Sequence, residues 1–138
     1  MARTYWYVTH AALDDNERAQ KYGVIFMASP RNVQFHQFDR PLSKLMVSSL
    51  TGAIPLRLAA AHVLRPPTFF SIIFGIIKLF MPKRMVQRIQ IHTGTFEETL
   101  QKLENQYGIT KDMVPEDAGG TLVLDHEGWL ESRRKAGK

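Results

Sequence analysis

The side chains of this 138-residue chain whose type and placement suggest a chemistry are Arg57, Arg84 and Arg88, with Lys83 beside them. A guanidinium carries a fixed charge on a rigid fork of donors, which suits capture of phosphate or carboxylate oxygens. All four lie within residues 40–96, a stretch with eight basic residues (Arg40, Lys44, Arg57, Arg65, Lys78, Lys83, Arg84, Arg88) and no acidic one. The flanks offset it: residues 1–39 hold four basic and four acidic side chains, and residues 97–138 hold six basic against nine acidic. A modest net charge of +5 therefore conceals a local excess of +8. Any one of these cations alone would read as a solvated surface charge.

Covalent catalysis has little to work with. The absence of cysteine excludes disulfides, thiolate metal sites and a cysteine nucleophile. The five histidines show no metal-ligand spacing. There is no Gly-x-Ser-x-Gly elbow, no phosphate loop and no pair of carboxylates in the apolar region. Asp125, His126 and Ser132 combine only at chance level. The expectation is a non-enzymatic protein with no catalytic residues, no metal and no cofactor. A basic chain also suits nucleic acid, but no helix-turn-helix, zinc module or aromatic RNA-binding strand is present, so no nucleic-acid partner is expected.

The elements that must position the arginines are short and well punctuated. Composition is that of one globular domain, 44% apolar and 22% charged. An aromatic-rich helix is predicted from Arg3 to about Ala12, ended by the polar run 14–18. Gly23 to Met27 is a continuous apolar run that fits a buried strand. Asp39 can cap a helix to about Leu50, with Leu42, Leu45, Met46 and Ser49 on one face. Leu58 to Leu64 is a second buried strand, stopped by Pro66-Pro67, and a helix from about Thr68 to Phe80 ends at Pro82. Arg88 to His92 alternates as a half-buried strand. Thr95 and Glu98 form a capping box that opens a helix bearing Phe96, Leu100, Leu103 and Tyr107, closed by Gly108. A turn of helix follows at 110–114, and the residues after about 124 read as a frayed tail. This order implies an α/β fold with at least partly parallel strands.

The helix at 68–80 does not fit an ordinary core. Phe69, Phe70, Ile72, Ile73, Phe74, Ile76, Ile77, Leu79 and Phe80 cover most of its surface, and only Ser71, Gly75 and Lys78 interrupt them. A core-facing helix normally shows a narrower apolar stripe. The apolar run reaches roughly 20 Å as a helix, too short for the ~30 Å hydrocarbon layer of a membrane. A two-sided protein core, a bound lipid, a membrane surface or a partner chain could cover it. The small chain argues against the first, and the neighbouring Lys83, Arg84 and Arg88 argue for an anionic membrane.

The segment Ile54-Pro55-Leu56-Arg57-Leu58-Ala59-Ala60-Ala61-His62-Val63-Leu64-Arg65-Pro66-Pro67 resembles the strand that enters the lipid pocket of CRAL-TRIO domains. Ile76 to Met81, followed by Arg88-Ile89-Gln90-Ile91-His92, is similar to that family's gate helix and the strand after it. Pro115-Glu116-Asp117-Ala118-Gly119-Gly120-Thr121 resembles its Leu-Pro-x-Glu-Tyr-Gly-Gly signature, and Gly23 to Met27 falls on its Gly-Val-x-x-Ile-x-Asp strand. Departures are Ala28 for Asp, Arg65 for Asn, Leu79 for Pro and Ala118 for Tyr.

The resemblance, closest in flavour to the tocopherol-transfer and retinaldehyde-binding group, implies an apolar pocket over a sheet floor. Its lining and gate would be Ile25, Met27, His62, Phe69, Phe70, Ile73, Phe74, Ile77, Phe80, Ile89 and Ile91. A phosphoinositide head group would be held at Arg57, Arg84 and Arg88, with Lys83 adding membrane contact; a fourth basic position falls on Ala59. The hydroxyls and glutamate that hold an inositol lipid inside the pocket of other members fall on Gly23, Ile25 and Leu56, so that cargo is not implied. The family's N-terminal helical lobe and first strands have no counterpart. The expected organisation is thus the C-terminal portion of a CRAL-TRIO-like domain at 1–124 and a tail at 125–138, with a small, mostly parallel sheet flanked by helices. The expected function is binding or intermembrane transfer of a small hydrophobic lipid by a cytoplasmic protein that docks peripherally on anionic membranes. The alternative is a half-domain that pairs with itself or with a missing lobe supplied in trans.

Overall fold

Val24 to Ala28 and Leu58 to Leu64 lack a polar/apolar alternation, the pattern of strands covered on both faces in a parallel sheet. A computed structural model describes residues 2–14, 16–53 and 56–138, so Ile54 and Pro55 of the resembling segment lie outside it, as does the side chain of Ala53. Its first part runs α1 (Ala2–Leu13), α2 (Glu17–Tyr22), β1 (Val24–Ala28), α3 (Arg40–Ser48), β2 (Leu58–Leu64), α4 (Phe70–Lys78), α5 (Lys83–Val86) and β3 (Ile89–His92). Among the described residues the sheet has the order β1-β2-β3, and both pairings are parallel. Helical crossovers join the strands, as parallel neighbours require. Val24 and Ile25 face Leu58 and Ala60, so Ala59 is an extra residue that kinks the start of β2.

Local signals account for most of these boundaries. The Asp39 side chain accepts a hydrogen bond from the Leu42 amide at 2.9 Å and starts α3. Pro82 ends the α4 segment and stands before the short α5. The polar run at 14–18 both ends α1 and starts α2, a helix not expected from the sequence, because the Asn16 side chain accepts from the Ala19 amide at 3.0 Å. Gly23 then turns the chain with φ +93°, and a Cβ there would collide with the Arg57 carbonyl oxygen. Val24 donates to that same carbonyl at 2.9 Å. Only glycine tolerates both the conformation and the approach, so Gly23 fixes where Arg57 enters the sheet.

The face read as Leu42–Leu45–Met46–Ser49 holds in part, with Ser49 buried and Leu42 and Met46 half-buried. Leu45 is exposed, Val47 is buried, and Ser43, Met46 and Val47 of α3, with Leu50 just beyond its end, form the stripe that borders the cavity above the sheet. Apolar residues on two sides of this helix leave its periodicity without a unique solution. Val47, Leu58 and Met85 form the buried centre, with Phe26, Leu50, Ala61, Ile77, Phe80 and Met81 packed against it.

The chain divides into two compact units, Met1–Thr93 and Gly94–Lys138. The second begins with the Thr95 capping box: the Glu98 amide donates to Thr95 Oγ1 at 3.2 Å and the Thr95 amide to Glu98 Oε2 at 2.9 Å. It opens α6 (Phe96–Tyr107), on which Leu103 is fully buried. Pro115 to Gly120 forms a tight turn, and a Cβ on Gly120 would collide with the Val114 carbonyl oxygen. The residues read as a frayed tail instead contain α7 (His126–Lys135), capped by Asp125 accepting from the Gly128 amide at 2.9 Å. Arg133, Arg134 and Lys135 sit in its last turn, where cations favour the helix dipole, and Lys135 meets Glu131 at 2.9 Å. This helix rests on caps and charge rather than on an apolar face, so hydrophobic periodicity does not reveal it.

Candidate functional site

A cavity of about 280 Å³ lies in the first unit, between the sheet and the helices α1, α3 and α4. Phe26 of β1, Ala61 and Val63 of β2 and Ile89 of β3 are its floor. Met46 and Val47 of α3, with Leu50 just beyond it, close one side, and Phe70, Phe74 and Ile77 of α4 close another. The Phe70 and Phe74 rings stack at 5.9 Å, and Lys78 Nζ stands 5.0 Å from the centre of the Phe74 ring. The lysine that interrupts the apolar helix is therefore held by a cation–π contact along its outer surface. Ile72 and Leu79, seven residues apart on that helical segment, stay 59% and 78% exposed.

Of the side chains expected to line a lipid pocket, Phe70, Phe74, Ile77 and Ile89 border this cavity. Ile73 is buried but is not one of its walls, and Phe69 packs edge-on against Phe35 at 5.9 Å. Phe80 packs against the Val47–Leu58–Met85 centre. Ile91 pairs with Val63 and shares its face of the sheet, yet it is 40% exposed and lies outside the cavity. Ile25, Met27 and His62 differ from the expectation most clearly. Ile25 pairs with Ala60 and Met27 with His62, so the alternation of β1 and β2 turns all three to the opposite face from Phe26 and Ala61. A strand that is apolar throughout carries no mark of which face is which.

Tyr5, Met46, Val47, Leu50, Leu58, Val63 and Met85 are cavity walls that the sequence pattern did not single out. The spacing of Met46, Val47 and Leu50 was a usable signal. Nothing in the sequence marks Tyr5 among its aromatic neighbours.

A second cleft, of about 410 Å³, is lined by Arg57, Arg84 and Arg88 together with Leu50, Thr51, Leu56, Leu58, Pro82 and Met85. The kinked entry of β2, the short α5 and the residue before β3 thus bring three separated arginines to one depression. The Arg88 guanidinium donates to the Leu58 carbonyl oxygen, so this residue also holds the start of β2. Lys83 is exposed on α5 and is not a wall. Leu50, Leu58 and Met85 line both cavities and form an apolar partition between them. A third groove, about 390 Å³, joins Arg40, Pro41 and Lys44 to Leu79 and Phe80. Arg40 and Lys44 are one helical turn apart on α3, a spacing visible in the sequence. Among the described residues no cluster of three or more His, Asp or Glu side chains could hold a metal ion.

On the other face of the sheet, His62 Nδ1 and His92 Nε2 are 3.0 Å apart and both residues are buried. Burial holds the His62 imidazole below its ordinary pKa. The unfolded chain then takes up the proton more readily, so stability falls as pH drops below the unfolded value of about 6.5 and levels off above it. Thermal midpoints measured across this range are expected to show that slope, flattened in His62→Gln. An unchanged slope in the variant would assign the effect elsewhere.

The first unit is thus an α/β domain whose parallel sheet carries an apolar cavity under a short hydrophobic helix, beside an arginine-lined cleft. The family model for the CRAL/TRIO domain matches residues 1–120, and the chain belongs to that family. "Alpha-tocopherol transfer protein-like" of Mus musculus is 26% identical over 127 residues, 89% of this chain and 35% of that protein. "Tyrosine-protein phosphatase non-receptor type 9" of Homo sapiens is 27% identical over 124 residues, 90% of this chain but 19% of the phosphatase. "Clavesin-1" of Xenopus laevis is 26% identical over 113 residues, 80% of this chain and 32% of that protein. The chain thus spans about a third or less of the length of these curated relatives.

Proposed function

We propose that this chain binds a small hydrophobic lipid in the cavity beneath α4 and docks on anionic, phosphoinositide-bearing membranes through Arg57, Arg84 and Arg88, without catalysing a reaction. The observation that carries this reading is the pair of adjoining depressions, one walled by hydrocarbon and one by arginines, separated only by Leu50, Leu58 and Met85. Hydrocarbon walls reward removal of an apolar chain from water by about 25 cal/mol per Å². Fixed cations near an anionic surface add about 1 kcal/mol each. Exposed Ile72 and Leu79 suit contact with acyl chains, and Arg40 and Lys44 extend the basic surface beside Leu79. The tocopherol-transfer-like relative supports transport of a lipid, while the phosphatase relative shares a match too short to bring its enzymatic activity here. Among the described residues no helix is long and apolar enough to cross a membrane, in keeping with peripheral attachment.

Organic extracts of the purified protein, or of protein incubated with lipid vesicles and re-isolated, are expected to contain about one apolar lipid per chain by mass spectrometry. A protein that emerges lipid-free from both would overturn the carrier reading.

A further inference from the structure

The groove of about 390 Å³ that Arg40, Pro41 and Lys44 form with Leu79 and Phe80 shares no lining residue with the arginine cleft, though both lie in the first unit. Arg40 and Lys44 are exposed, and among the described residues no carboxylate is within ion-pair distance of either. The acid nearest in sequence, Asp39, is committed to the cap of α3, accepting from the Leu42 amide at 2.9 Å. The other walls are hydrocarbon. Phe80 is anchored on the Val47–Leu58–Met85 centre, while Leu79 beside it is 78% exposed. Two fixed cations therefore adjoin an apolar side chain that nothing on its own unit covers. A free inorganic anion would gain from the cations alone. A glycerophospholipid gains from both, because its phosphodiester is joined to the start of its acyl chains.

Resting on the docking reading above, the geometry points to a second phospholipid subsite: Arg40 and Lys44 hold the phosphodiester of a monoanionic glycerophospholipid such as phosphatidylserine, and Leu79 enters the acyl layer beside it. Charge sorts the two sites. Two cations match a single phosphodiester, whereas the three arginines of the neighbouring cleft suit a head group carrying several phosphates. From Lys44 the chain stays helical to Leu50, which lines that cleft, a rise on the order of 10 Å. The two depressions thus engage separate lipid molecules of one bilayer, and capture of the first makes capture of the second intramolecular. At physiological ionic strength exposed charges this far apart act nearly independently.

The test compares wild type with Arg40→Glu/Lys44→Glu by sedimentation on phosphatidylserine–phosphatidylcholine vesicles that lack phosphoinositide, and by calorimetry with soluble inositol trisphosphate. The variant is expected to lose tenfold or more in vesicle affinity and to keep its affinity for inositol trisphosphate within about twofold. Glutamate in the first turn of α3 favours the helix dipole, so the melting temperature should hold. Because the chain has no cysteine, Leu79→Cys accepts a single environment-sensitive fluorophore. Its emission is expected to shift to the blue on phosphatidylserine vesicles, and to stay put when Arg40→Glu/Lys44→Glu is added. A charge-matched control, Lys102→Glu/Lys111→Glu, reverses two exposed lysines of the second unit and is expected to change vesicle binding less than threefold. A control loss as large as that of the groove variant would reduce the effect to net charge and overturn the subsite. So would phosphatidylserine binding that is unchanged in the groove variant, or absent from a wild type that still takes inositol trisphosphate. A wild type that ignores both probes would instead defeat the docking reading itself.

Discussion

Reversing Arg57 and Arg84 to glutamate is expected to lower binding to phosphatidylserine and phosphoinositide vesicles by about a hundredfold or more, with binding to neutral vesicles little changed. Both side chains are exposed walls of the same cleft. Each cation near an anionic surface contributes about 1 kcal/mol, and reversal replaces attraction by repulsion, so two sites amount to roughly 4 kcal/mol at low salt. Tenfold corresponds to about 1.4 kcal/mol, and screening at physiological ionic strength trims the total. Arg88 is left in place because its guanidinium also bonds the Leu58 carbonyl oxygen, and removing it would mix a docking defect with damage to β2. Vesicle sedimentation at two ionic strengths provides the measurement. Equal retention of the variant on anionic vesicles would remove the arginine cleft from the docking surface.

Ala61→Phe is expected to reduce uptake of apolar lipid by more than tenfold while leaving vesicle docking in place. Ala61 lies at the middle of β2, between Phe26 and Ile89, and its methyl group is part of the cavity floor. A phenyl ring there takes the space a ligand would occupy. The void already exists, so the substitution fills it and the thermal midpoint should hold or rise. An overpacked site would instead lose about 1–3 kcal/mol, which the same melt detects. Because Leu50, Leu58 and Met85 separate the two depressions, the arginine cleft should survive the change. Normal lipid uptake by a well-folded Ala61→Phe protein would show that cargo lies elsewhere.

The two substitutions divide the site along the line that divides its legibility. Charge is visible residue by residue, and the acid-free stretch 40–96 marks Arg57, Arg84 and Arg88 along the linear chain. Their meeting in one cleft depends on the Ala59 bulge, the Gly23 turn against Arg57 and the short α5, none of which a charge pattern encodes. The cavity is less legible still. Phe70, Phe74 and Ile77 stand out because α4 is apolar on most of its surface. Ile25, Met27 and His62 look equally suitable, and only the strand register assigns them to the other face.

The information readable along the chain is local. The Asp39 cap, the Thr95–Glu98 box, the Pro66-Pro67 and Pro82 stops and the Gly108 closure each act within a few residues, so helix and strand positions follow from short windows of chain. The order of those elements, together with the quoted motifs, points to the family that the match over residues 1–120 establishes. Which faces meet is settled in three dimensions: the inward stripe of α3, the partition of Leu50, Leu58 and Met85, and the burial of the Tyr5 hydroxyl. Hydrophobic burial is non-directional, rewarding any apolar face that leaves water. Elements apolar on several sides, as β1, β2 and α4 are, have their faces chosen by strand pairing and by neighbours distant in sequence.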